Sequence, residues 1–261
     1  NPRVRLGVVL ASGGATTWVD ITEYAPAEPL IVDVGWTSDS RSVVFQVQNR
    51  EQTWLDLDLA TSDTGTVTVT DLATLRQAMS SIFSLYAESA IAVKAQHAYI
   101  RTLLWHERSD AEAEAALDTT LRGGDVDEST RLALGDWCWA RGVELAIEHD
   151  LPFKLHTGYY AGTDRMPVSR IASGNLCGLL AKYLDCRFVM MHIAYPYSQE
   201  LVALTKHYRN VYADLCWAWS IDPYSGMDFV RRFLHAAPSN KLFAFGGDTS
   251  WPTSAVAYAI Q

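Results

Sequence analysis

From Asp71 onward the chain alternates short apolar runs with stretches of helical period, and few folds accept that rhythm. Leu72, Leu75, Met79, Ile82, Phe83 and Tyr86 recur at three- and four-residue steps, which predicts a helix over Leu72–Glu88 with Asp71 as its N-cap. Further helices are predicted over Ala111–Leu121, Ser129–His149, Asn175–Leu184, Gln199–His207 and Met227–Ala237. Strands are predicted over Ala90–Ala95, Pro152–His156, Phe188–His192, Val211–Leu215 and Leu242–Phe245. Strands that are apolar almost throughout belong to a parallel sheet covered on both faces. The fold class is therefore α/β.

The first stretch, residues 1–69, has a different rhythm. Runs at Arg3–Leu10, Thr17–Ile21, Leu30–Gly35, Ser42–Gln48, Thr53–Leu59 and Thr66–Thr70 are separated by turn clusters such as Ser12-Gly13-Gly14, Ser38-Asp39-Ser40 and Asn49-Arg50-Glu51. Period-two alternation in Val43-Val44-Phe45-Gln46-Val47-Gln48 predicts an antiparallel meander. The expected domains are a β-rich segment at 1–69 and an α/β segment at 70–261. The join falls near Ala60 to Asp71, where Thr61–Thr70 is Thr-rich.

The polar residues of the second segment sit at equivalent places. One strand runs into Lys94, the next into His156, then His192, then Asp214, and the last into Gly246-Gly247-Asp248. Carboxyl ends of parallel strands are where such folds place their chemistry. Two imidazoles and a carboxylate on one rim suit zinc and similar divalent ions, with manganese as the second choice. A lone histidine after a strand is commonly a hydrogen-bonded structural residue; two of them with an aspartate at matching positions favour a metal site. Lys94 by itself reads as a strand-end lysine reaching solvent, and Asp214 as a structural hydrogen-bonder. His97, His106, His149, His207 and His235 read as surface or satisfied residues.

The net charge of −9 argues against a nucleic acid or an anionic membrane as partner, because both need a basic face. No apolar run reaches the length of a membrane span. Cys138, Cys177, Cys186 and Cys216 form no C-x-x-C pair and lie among apolar neighbours, so they read as buried free thiols of a reducing, cytoplasmic compartment. The sequence opens on Asn1, which leaves a trimmed N-terminus and export open.

The strings Val93-Lys94-Ala95 to Ala98-Tyr99-Ile100-Arg101, Lys154-Leu155-His156-Thr157-Gly158, Phe188 to His192, Asn210-Val211-Tyr212-Ala213-Asp214 and Phe245-Gly246-Gly247-Asp248 resemble, in order and spacing, the amidohydrolase-related proteins. These are metal-dependent hydrolases built on a TIM barrel. The resemblance implies a partial (β/α)8 barrel, strands four to eight. It implies that His156, His192 and Asp248 bind metal, that His192 and Asp248 are catalytic, and that Asp248 shuttles the proton. Lys94 matches a strand-four position that is carboxylated in some relatives. It reads equally as substrate-facing, with Tyr99 and Arg101 nearby for an anionic substrate. These families carry a His-x-His pair after the first strand, and no His-x-His occurs in the 261 residues. About 190 residues follow Thr70, against about 250 for a whole barrel.

The first segment resembles part of the N-terminal β-propeller of dipeptidyl peptidase IV-type peptidases, through Val34-Gly35-Trp36-Thr37-Ser38-Asp39-Ser40 and Val43 to Arg50 with Trp54-Leu55-Asp56-Leu57. No Gly-x-Ser-x-Gly elbow accompanies it. The leading expectation is a metal-dependent hydrolase acting on a C–N or C–O bond of a small polar or carboxylated substrate, its activity weakened or lost without the His-x-His. The alternatives are a non-catalytic fusion or fragment and a propeller-derived, peptidase-associated binding module. Open sheet edges predict a homo-oligomer that covers them.

Overall fold

The computed structural model describes residues 4–22, 24, 28–37, 40–48, 55–62, 65, 69–123, 126–159, 167–248, 253 and 256. The chain divides into two compact units, Asn1–Ala90 with Ser109–Leu134, and Ile91–Arg108 with Gly135–Gln261.

In the first unit, β1 (Gly7–Val8) and β2 (Thr17–Trp18) form a short antiparallel ladder. The predicted run Arg3–Leu10 thus contracts to two residues. The expected meander is present as β3 (Leu30–Trp36), β4 (Ser42–Gln48) and β5 (Leu55–Thr61), antiparallel and in that order. Ser38-Asp39, the expected turn Asn49-Arg50-Glu51, the start of the predicted strand Thr53–Leu59, and residues 66–68 of the last predicted strand lie outside the described residues.

The central strand explains why this small sheet is ordered. Phe45 and Val47 pack with Val19 and Ala60 on one face, while Val44 packs with Leu59 and Ala78 on the other. Burying each such side chain contributes roughly 1.5–3 kcal/mol before chain entropy is subtracted. Ala78 belongs to α1 (Leu72–Tyr86), so the helix packs on the sheet. Asp71 caps α1 as predicted: its carboxylate accepts from Thr74 N at 2.8 Å, and Thr74 Oγ1 accepts from Asp71 N at 3.2 Å. Glu114 of α2 (Asp110–Leu121) accepts from Leu72 N at 3.2 Å, satisfying another amide of the first turn.

The second unit holds the predicted parallel sheet. Its strands are β6 (Val93–Ala95), β7 (Phe153–Leu155), β8 (Phe188–Met190), β9 (Val211–Asp214) and β10 (Leu242–Phe243), ordered in space as in sequence. Each strand is short because it is flanked at once by helix or turn. α3 (Glu128–Glu148) precedes β7, α4 (Cys177–Lys182) precedes β8 and α5 (Ser198–His207) precedes β9. α6 (Ala218–Ile221) and α7 (Pro223–Ala236) separate β9 from β10. The predicted helix at Asn175 begins as a 3-10 turn over Ser173–Leu176 and becomes α-helical only at Cys177. Among the described residues no helix is long and apolar enough to cross a membrane.

A buried ion pair lies within this unit. Arg101 Nη2 donates to Asp136 Oδ1 at 2.5 Å and to Leu104 O at 3.1 Å, and Arg108 Nε donates to Asp136 Oδ2 at 3.1 Å. Trp105 Nε1 donates to the Asp136 carbonyl at 2.9 Å. The Asp136 side chain is 1% exposed, so the carboxylate has exchanged water for two guanidinium partners. Asp136→Ala strands Arg101 as a buried, unpaired charge, and the expected loss is about 3–5 kcal/mol. Asp118→Ala, which removes an exposed pair with Arg122, is expected to cost no more than about 0.5 kcal/mol. Urea midpoints of the two variants check this contrast.

Candidate metal centre

Hydrogen-bond register brings the functional side chains together. Ala95 stands opposite Leu155, Leu155 opposite Met190, and Met190 opposite Ala213. His156 comes directly after this row, His192 follows two residues beyond Met190, Lys94 precedes Ala95, and Asp248 follows β10. His156 N still donates to Ala95 O at 3.0 Å, which continues the ladder into the first site residue. His156 Nδ1 lies 3.1 Å from His192 Nε2, and His192 Nε2 lies 3.5 Å from Asp248 Oδ2. Lys94 Nζ donates to Asp248 Oδ1 at 2.7 Å. The Tyr99 ring lies 4.6 Å from the His156 ring, centroid to centroid.

The backbone at these points is unusual. His192, Ile193 and Ala194 have consecutive φ values of 59°, 49° and 50°, and Cys216 and Asp248 both lie at 43°. Left-handed backbone is costly for residues with a Cβ, and most of all for a β-branched one such as Ile193. Gly158 (φ +66°) answers a separate demand: a Cβ there would lie 2.3 Å from Tyr195 N.

Electrostatics keep both imidazoles neutral. Burial lowers the His156 pKa to about 4, with Lys94 adding to the shift against the pull of Asp248. Burial, then His156 itself, lowers His192 to about 3. Burial pushes the Asp248 carboxyl up, but the Lys94 hydrogen bond and charge outweigh it, and the net shift is downward. Neutral imidazole and ionised carboxylate are the forms that ligate a divalent ion. Among the described residues, His156 Nε2 and His192 Nδ1 are buried with no hydrogen-bond partner. Such orphaned nitrogens cost stability unless something else engages them. His192 and Asp248 fit a divalent cation, with His156 in contact through His192 Nε2 and Lys94 as the resident counter-charge of Asp248.

Two predicted residues are placed otherwise. Arg101 is held in the ion pair with Asp136 rather than beside the histidines. His97, expected to be a surface or satisfied residue, instead has a buried Nδ1 without a hydrogen-bond partner among the described residues; its ring lies 4.8 Å from that of Trp139. Burial, with the Arg101 charge second, lowers its pKa to about 4. Asp214 is a hydrogen-bond acceptor as expected, taking Lys154 Nζ at 2.8 Å and Cys216 N at 2.9 Å.

Cys216 is the residue that sequence reasoning missed. It is buried and free, as expected of the cysteines. Yet ligand atoms of His192, Cys216 and Asp248 all lie within 4.8 Å of one another. The available signal was its place two residues beyond Asp214, at the end of a strand whose neighbours all carry site residues. A groove of 580 Å³ lies between Tyr195–Glu200 and Tyr224–Arg232, and neither histidine nor Asp248 lines it.

Residues 35–260 match the amidohydrolase family model. The chain belongs to the amidohydrolase family. The matched region spans residues 60–71 and begins inside residues 1–69, for which neither the fold nor these matches show the expected propeller segment. The protein is similar to Protein fluG of Emericella nidulans, at 29% identity over 115 residues, which cover 42% of this chain and 13% of FluG. Its fold is similar to that of a Lactobacillus casei protein assigned as a metal-dependent hydrolase: TM-score 0.60, 19% identity, 73% of this chain and 50% of that one. It is also similar in fold to uronate isomerase from Thermotoga maritima: TM-score 0.50, 10% identity, 64% of this chain and 40% of that one. The chain thus spans half or less of each of these proteins. Family membership and these folds make the five-stranded parallel sheet TIM-barrel-like.

The depressed histidine pKa values link stability to pH. Each lies below the unfolded value of 6.5, so the unfolded chain binds more protons at mildly acid pH. The contribution is complete above pH 6.5 and is lost as pH falls toward the folded values. Lowering the pH from 7.5 to 5 is expected to cost about 2 kcal/mol for each such histidine. Urea titrations at pH 7.5 and 5 check this. His156→Gln should shrink the difference between the two midpoints, and an unchanged difference would mean that His156 is not held neutral.

Proposed function

We propose that this chain is a metal-dependent hydrolase acting on a C–N or C–O bond of a small polar or carboxylated substrate. The observation that carries the reading is the convergence of His156, His192 and Asp248, with His192 Nε2 3.1 Å from His156 Nδ1 and 3.5 Å from Asp248 Oδ2. His156, His192 and Asp248 would hold the ion, zinc first and manganese second. A divalent ion bound there lowers the pKa of its water toward neutrality and polarises the scissile bond.

The protein residues divide the remaining work. Asp248 keeps one oxygen toward His192 and the other on Lys94. Its carboxylate takes the proton of the attacking water and returns it to the leaving group. His192, 0% exposed in its side chain, orients the water from a fixed ring. Lys94, whose side chain remains 35% exposed, offers its ammonium to a substrate carboxylate. Tyr99 supplies an aromatic wall against His156. Arg101 positions this loop through Asp136.

A second reading, a non-catalytic member of the family, is favoured by one observation: the 261 residues contain no His-x-His. Fewer donors mean weaker binding, since affinity follows ligand number and geometry. For either reading we propose a second copy of the chain, a small molecule and no nucleic acid or membrane as partners, with the sheet edges β6 and β10 as the strands a second copy would cover.

Metal content separates the readings. Chelator-stripped protein re-exposed to zinc or manganese is expected to bind the ion in stoichiometric amount. His156→Ala and Asp248→Asn should weaken binding by at least about tenfold. Hydrolysis of a panel of carboxylated amides and esters should fall with it. Binding without turnover supports the non-catalytic reading, and metal retained equally in both variants would contradict the site.

A further inference from the structure

We infer that Cys216 is a sulfur ligand of this centre, so that His192, Cys216 and Asp248 form one face of a thiophilic site that prefers zinc to manganese. The inference rests on the metal-site reading given above and adds a donor to it.

Three observations place the thiol there. Ligand atoms of the three residues lie within 4.8 Å of one another, a spacing that one ion of ordinary bond length could bridge after small side-chain shifts. His192 is fully buried, and its Nε2 lies 3.5 Å from Asp248 Oδ2. The backbone is also shaped around the cysteine. Cys216 sits at φ 43°, its N–H donated to Asp214 Oδ1, while Asp214 is anchored by Lys154. From the other side Gly246 closes on it: a Cβ at that position would lie 3.2 Å from Cys216 Cα and 3.5 Å from its Sγ. A glycine two residues before Asp248 thus lets the two strand ends approach until carboxylate and thiol can share a ligand.

The step balances simply. The Cys216 S–H bond breaks, its proton passes to solvent, and the sulfur lone pair makes the bond to the divalent ion with no change of oxidation state. Thiolate is a soft donor that favours zinc, whereas manganese favours oxygen. Within these 261 residues the thiol supplies a ligand where no His-x-His does.

Cobalt(II) tests the proposal by spectrum rather than by turnover. Stripped protein loaded with cobalt is expected to show visible ligand-field bands together with a near-ultraviolet sulfur-to-cobalt charge-transfer band. Cys216→Ser should lose the near-ultraviolet band and keep the visible ones. A variant that leaves Cys216 in place, Cys138→Ser with Cys177→Ser and Cys186→Ser, should keep both, which assigns the band even if Cys216→Ser folds poorly. Visible bands without a charge-transfer band in the wild type would overturn the cysteine ligand and leave the histidine and aspartate site standing. A charge-transfer band lost in the triple variant would overturn it too. Failure of cobalt to bind at all would remove both readings.

Discussion

In the parallel sheet, each short strand is paired with the next so that Ala95, Leu155, Met190 and Ala213 stand abreast, and the site depends on this register. Three-residue strands have no length to spare. A slip of one residue in β7 would turn Lys154 and His156 to the opposite face, because side chains alternate. The apolar residues hold the register. Phe153, Leu155, Phe188 and Met190 are almost fully buried, so the strands are fixed by packing on their faces and by hydrogen bonds at their edges.

On the same sheet the register sets two lysines side by side, Lys94 opposite Lys154. Like charges on neighbouring strands repel. Each is balanced by an aspartate from a later strand end, Asp248 for Lys94 and Asp214 for Lys154. The Lys94 contact holds the Asp248 pKa down while burial keeps the imidazoles neutral. The histidine nitrogens thus remain available as electron-pair donors.

The sheet was legible because its inner strands, β8 above all, are buried on both faces and read as apolar runs. Asp71 was legible as a cap because its chemistry is local. His156, His192 and Asp248 were visible through repetition of one pattern, a polar residue ending an apolar run. The partner of Arg101 was not, since Asp136 follows 35 positions later inside a helix and carries no local mark. Cys216 was read as one apolar thiol among four; its place two residues beyond Asp214 was the local sign, and its closeness to His192, Asp248 and Gly246 appears only in the fold. The placement of α1 against β4 was hidden for a related reason. Helical periodicity reveals an apolar stripe but not which sheet will cover it.

The left-handed backbone at His192, Ile193, Ala194, Cys216 and Asp248 has a consequence of its own. Such conformations persist only where the surrounding fold over-determines them. The directions in which these side chains leave the main chain are therefore properties of the scaffold, not of the side chains. Exchanging one donor type for another at these points would alter ion preference while leaving the attachment geometry in place. The rim behaves as a set of sockets, and a family built on it could change its chemistry by replacing what each socket holds.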